Sequence, residues 1–144
     1  MGRSQREKGK RGERLAAKAV SQAIRLPARR GVQFKGGADS ADLEVELEGV
    51  HWEVKFVERE SIRSWMKQAE ADSGGLVPVV LSKKAREPWL ITLPLERLYE
   101  FHARLEAAAA QALSALGTGE LPTAVSGESL PATPGQAAGD AGVL

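Results

Sequence analysis

Two neighbouring stretches, DLEVELE (42–48) and VHWEVKFV (50–57), alternate between charged or polar and apolar residues. In a strand, successive side chains stand on opposite faces. With Glu48-Gly49 as a two-residue turn, the alternation predicts a hairpin in which Asp42 faces Lys55, Glu44 faces Glu53 and Leu43 faces Val54. Asp42, Glu44, Glu46, Glu53 and Lys55 then share one face. Leu43, Val45, Leu47, Val50, Trp52, Val54 and Phe56 share the other. Carboxylates set directly opposite one another repel unless positive charge lies between them. Lys55 supplies one such charge, and a divalent cation would supply more. Asp and Glu oxygens suit Mg²⁺ or Mn²⁺. An ion of that kind orients and polarises a phosphate and activates a water. The alternative is a solvated sheet face that binds nothing.

Glu13 is a candidate to complete the same site. The spacing predicts a first helix from the capping-box signature SQRE (4–7) to about Ile24, ended by LPARRG (26–31). Ala17, Val20 and Ile24 share one face of that helix, and Glu13, seven residues before Val20, falls on it too. A short strand is expected at GVQF (31–34), and KGGADSA (35–41) reads as a turn before the hairpin. Ser61 can cap a helix reaching about Asp72, with Ile62, Trp65, Met66 and Ala69 on its apolar side. LVPVVL (76–81) reads as a strand, which Pro78 restricts to an edge or makes the first residues of one. WLITL (89–93) reads as another strand, and Pro94 opens a last helix to about Leu116. The expected fold is therefore a mixed α/β domain over residues 1–116, one sheet flanked by helices. Residues 117–144 are rich in Gly, Pro, Ser, Thr and Ala without periodicity and are expected to be a disordered tail.

Charge is distributed unevenly. Residues 1–37 hold 11 Lys/Arg against two acids, whereas residues 38–104 hold 9 against 13. A basic arm joined to an acidic middle points to a polyanionic partner or, more blandly, to a solvated helix face. The chain has no cysteine, so a disulfide framework and a thiolate metal site are both excluded. It has no apolar run long enough to cross a bilayer and no apolar core of a signal peptide. A cytoplasmic, bacterial-type setting without a membrane partner is the expectation.

Taken together, GKRGERLAAKAV (9–20), GADSADLEV (37–45), WEVKFVE (52–58) and a helix carrying QAEAD (68–72) resemble the PD-(D/E)xK nuclease superfamily. The likeness is nearest to the archaeal-type Holliday junction resolvases and their phage-borne relatives, and it spans roughly residues 8–93. The resemblance implies a restriction-endonuclease-like core of order α-β-β-β-α-β. It implies Asp42 and Glu53 as metal ligands with the Val54 carbonyl, Lys55 as the residue that positions water and offsets charge, and Glu13 as a second-metal ligand or organiser. Gln68 falls where the superfamily often carries a glutamine after the lysine strand. The proline usual before the aspartate is Ala41 here, and Asp39 stands as a rival or second acid, more simply read as a turn residue.

The activity so implied is Mg²⁺-dependent, with Mn²⁺ as a substitute: paired hydrolysis of phosphodiesters in branched double-stranded DNA, a four-way junction, by a homodimer. Arg3, Arg6, Lys8, Lys10, Arg11, Arg14, Arg29, Arg30 and Lys35 would track the phosphate backbone. Gly9 and Gly12 either let the arm approach the phosphate backbone closely or loosen the first turns of the helix, the second being the simpler reading. Trp65, Met66, Trp89 and Leu90 are interface candidates, each better read singly as core. His51 and His102 have no matching partners and are assigned no chemistry. The alternatives are a nicking, repair or restriction-type endonuclease of the same fold, a non-catalytic DNA-binding protein, and an assembly protein using the last helix.

Overall fold

Buried Gly12, Ala16, Ala17 and Val20 form the stripe on which the first helix, α1 (Arg3–Ile24), packs in a computed structural model describing residues 2–32 and 41–117. Small residues along that stripe let the helix lie close to the sheet. At Gly12 an added Cβ would sit 2.9 Å from Phe56 Cβ, so Gly12 serves close approach, whereas Gly9 faces open space. The expected capping box does not form. Gly2 is the N-cap, no side chain caps the helix, and Ser4 lies inside its first turn. The helix stops at Arg25, which adopts a left-handed conformation (φ 59°) and donates its N–H to Ser21 O.

The first strand, β1, is Ala28–Arg30 and not 31–34; Gly31 and Val32 lie in no strand, and residues 33–34 are outside the described region. It pairs antiparallel with β2 (Leu43–Val45), with Arg29 opposite Glu44 and Arg30 opposite Leu43. The next strand, β3 (Val50–Phe56), pairs in parallel with β4 (Val77–Lys83), joined through the helix α2 (Ile62–Asp72). The predicted hairpin register is therefore not adopted. The turn at Glu48-Gly49 is present, with Gly49 at φ 83°, but β2 gives its ladder to β1. Leu47 N–H turns back to Val45 O and Glu46 N–H to Pro27 O, ending the extended run early. One backbone bond, Asp42 N–H to Trp52 O at 2.9 Å, links the two sheets and sets Asp42 beside Trp52 and Val54 instead of opposite Lys55.

Pro78 lies in the central strand of the order β3-β4-β5, not on an edge. It is tolerated because β5 (Leu90–Thr92) pairs only with Val80–Ser82, leaving Pro78 beyond the end of that ladder. A 3-10 turn (Leu95–Arg97) follows Pro94, and α3 (Leu98–Leu116) closes the described chain.

Alternation along β4 divides the core. Val77, Val79 and Leu81 join Ala16, Ala17, Val20, Leu43, Leu47, Val50, Trp52 and Phe101 on one side. Val80 points the other way, against Trp65 and Ala69 of α2. Both faces of the β3-β4 pair are thus covered. His51, Glu53 and Lys55 are in register with Pro78, Val80 and Ser82, so they stand on the face that α2 covers. Among the described residues, no helix is long and apolar enough to cross a membrane.

Candidate functional site

Asp42 is fixed through its backbone and its side chain. Its N–H donates to Trp52 O, its carbonyl accepts from Gly31 N–H at 2.8 Å, and its Oδ2 accepts from Val54 N–H at 2.8 Å. Burial first, then the charges of Glu53 and Glu13, raise its pKa from 3.8 to about 6, against the lowering effect of the Val54 N–H. A protonated Asp42 also donates a hydrogen bond to Glu53. Glu53 is 5% exposed. Burial pushes its pKa up, but the hydrogen bond from His51, the Lys55 charge and the bond from Asp42 outweigh this, and the net shift is downward. The neighbouring carboxyls are therefore driven apart, Glu53 towards the ionised form and Asp42 towards the neutral one.

Lys55 Nζ lies 4.0 Å from Glu53 Oε2 and donates to Gln68 Oε1 of α2 at 2.9 Å. Gln68 thus meets Lys55 across the covered face. Glu13 reaches the same end of the molecule from α1, where Arg30 Nε donates to its Oε2 at 2.5 Å. Glu13, Arg30, Val54, Lys55 and Phe56 border an open cleft of about 650 Å³, whose rim carries Arg6, Lys8 and Lys10. Lys8 Nζ sits 5.9 Å from the centre of the Phe56 ring.

The other sequence candidates are placed differently. Arg29 turns away from Arg30, as strand alternation requires, and pairs with Glu44 at 2.6 Å. Glu44 therefore leaves the carboxylate face, and its pKa is lowered by Arg29. Arg3, Arg11 and Arg14 are exposed on α1 and do not border the cleft. Lys35, Asp39 and residues 118–144 lie outside the described region. Trp65 and Met66 pack around Val80, and Trp89 packs on the main core and on Phe56. Of the four interface candidates only Leu90 is largely exposed.

Two contacts escaped sequence reading. Arg30, expected at the phosphate backbone, pairs with Glu13. His51 was assigned no role, yet its Nε2 lies 3.0 Å from Glu53 Oε1 and the residue is 3% exposed. Its signal was available, since residues two apart in a strand share a face. Among the described residues, no three His, Asp or Glu side chains gather as a metal cage. The carboxylates that come together are the pair Asp42 and Glu53. No protein-family model matches the chain, and no curated protein sequence matches it either.

Proposed function

We propose that the chain is a divalent-metal-dependent DNA endonuclease with a PD-(D/E)xK-type core, selective for four-way junctions. The observation that carries this reading is the convergence of Asp42, just before β2, with Glu53 and Lys55 of β3 and Gln68 of α2, of which Lys55 also borders the cleft rimmed by Arg6, Lys8 and Lys10. The element order through β4, α-β-β-β-α-β, supports the reading because it is the order the resemblance implies. A basic cleft supplies affinity for a phosphate backbone without reading base sequence, which suits recognition by shape.

The donor set fits Mg²⁺ or Mn²⁺. Two hard carboxylates are neighbours, and one of them, Asp42, is pushed towards protonation by burial first and then by the charges of Glu53 and Glu13, which a bound cation would offset. The Val54 N–H points at Asp42, and in an extended strand the carbonyl of the same residue points the same way, adding a third oxygen. Mg²⁺ takes one or two carboxylates and keeps several waters, so a full protein cage is not required. Asp42, Glu53 and the Val54 carbonyl would hold the ion, which supplies charge neutralisation and a water of lowered pKa.

The chain's own residues do the rest. Lys55, steadied by Gln68, orients the attacking water and offsets the negative charge on the phosphoryl oxygens in the transition state. The water oxygen gives up a proton to solvent and bonds to phosphorus as a P–O ester bond breaks, and the leaving oxygen takes a proton from solvent, leaving one phosphate and one hydroxyl end. Glu13 is held by Arg30 and sets the geometry at the far side of the cleft. Two matched cuts in a two-fold junction call for a two-fold dimer. Exposed Leu90, Ile91, Leu95, Leu98 and Tyr99 on β5, the 3-10 turn and the start of α3 are its candidate surface.

The test compares a synthetic four-way junction with a linear duplex of the same sequence, using wild type and Asp42→Asn, with Mg²⁺ and with EDTA. Paired nicks confined to the junction, lost in the variant and in EDTA, are expected. Equal cutting of the linear duplex would keep the chemistry and replace the junction selectivity with a general endonuclease. Binding with no product under Mg²⁺ or Mn²⁺ would make the protein a DNA-binding module.

A further inference from the structure

Glu53 is a long, flexible side chain in a nearly closed site, and its orientation decides which oxygen any ligand meets. Asp42 and Lys55 both act on it, and His51 is the neighbour that meets its Oε1. His51 stands two residues earlier on β3, on the same face, and both side chains are almost wholly buried, at 4% and 7% exposure. The imidazole Nε2 meets Oε1 at 3.0 Å. The other oxygen, Oε2, is the one on the side of Lys55 Nζ. An ionised carboxylate only accepts hydrogen bonds, so the ring nitrogen at Oε1 carries the hydrogen.

Resting on the nuclease reading above, we propose that His51 is a positioning residue: its Nε2–H occupies Glu53 Oε1 and thereby presents Oε2 alone to the metal and Lys55. A buried carboxylate with both oxygens free would rotate, or would bind an ion through both oxygens and draw it away from Lys55. Holding one oxygen removes both options. The arrangement is an outer-shell contact that fixes a ligand, here with histidine as the donor and carboxylate as the ligand. A histidine buried merely to fill space would not need its nitrogen aimed at the one acid two residues away.

The experiment uses the full chain and three substitutions, His51→Leu, His51→Gln and His51→Asn. Glutamine can place an amide N–H near the position of Nε2, whereas asparagine is polar but too short. Mn²⁺ binding is read from the loss of the free-ion EPR signal, without DNA, and folding is checked by circular dichroism. Junction cleavage is measured in parallel. His51→Leu and His51→Asn are expected to weaken Mn²⁺ about 10- to 100-fold, with His51→Gln restored close to wild type. Wild-type Mn²⁺ affinity in His51→Asn, or equal defects in the glutamine and asparagine variants, would overturn the positioning role while leaving the nuclease reading intact. Should His51→Leu not fold, the glutamine and asparagine pair still decides. A wild-type chain that neither binds Mn²⁺ nor cuts DNA would overturn the nuclease reading itself, and this inference with it.

Discussion

Asp42→Asn should make the protein more stable while abolishing its activity. Asp42 has its pKa raised from 3.8 to about 6 by burial first, then by the charges of Glu53 and Glu13. The folded state therefore holds the proton more tightly than the unfolded chain does. The resulting penalty is absent below the unfolded pKa near 4, grows as pH rises, and is complete above about 6. At 1.36 kcal/mol per pH unit the full penalty is about 3 kcal/mol, and partial solvent contact screens it to about 2. Asparagine keeps the shape and an oxygen for the Val54 N–H, and its amide N–H can replace the acid proton towards Glu53. In urea denaturation at pH 7.5 with EDTA, the variant should gain about 2 kcal/mol, a midpoint shift on the order of 1 M. The gain should shrink as pH falls from 6 towards 4. Adding Mg²⁺ should narrow it at pH 7.5, because an ion binding only the wild type stabilises that form. A variant equally or less stable than wild type at every pH would refute the assignment of a strained acid at position 42.

Other expectations follow from single contacts. Gly12→Ala should destabilise by about 1–3 kcal/mol through overpacking against Phe56. Gly9→Ala, in open space, should instead stabilise by about 0.5–1 kcal/mol, and thermal melts that rank the two the other way would contradict the close helix–strand contact. Arg6→Ala should lower the slope of log affinity against log salt for DNA by about 1, since Arg6 borders the cleft. Arg29→Ala should leave that slope unchanged because Arg29 is committed to Glu44 on another surface; equal effects would show that the cleft does not define the binding face.

Most of the fold could be read from periodicity. The helices α1 and α2 and the strand β3 carry strong patterns, and β3 is found where its alternation puts it. What escaped depended on partners that sequence spacing does not name. The strand β1 lies in PARR, which has no apolar alternation, and it forms because β2 offers it a free edge. The strand β2 ends after three residues because Glu46 N–H turns to Pro27 O and Leu47 N–H to Val45 O, and the predicted hairpin register disappears with it. Glu44 is then drawn to Arg29, away from Asp42 and Glu53. The meeting of Glu53 and Lys55 on one face survived, because it depends only on strand alternation within β3. Gln68 reached Lys55 because α2 covers that face. His51 was legible by the same alternation. Its partner is Glu53, two residues on along the same strand face.

The central claim is that Lys55 serves chemistry and not merely charge balance. The most direct measurement is single-turnover cleavage of a labelled four-way junction by Lys55→Ala and wild type, both at saturating protein with Mg²⁺, alongside binding of the same junction in Ca²⁺. A rate lower by about 10²-fold or more with binding within a few-fold of wild type is the predicted result. Equal cleavage rates at equal occupancy would contradict the account and leave Lys55 as a surface charge beside a buried pair of acids.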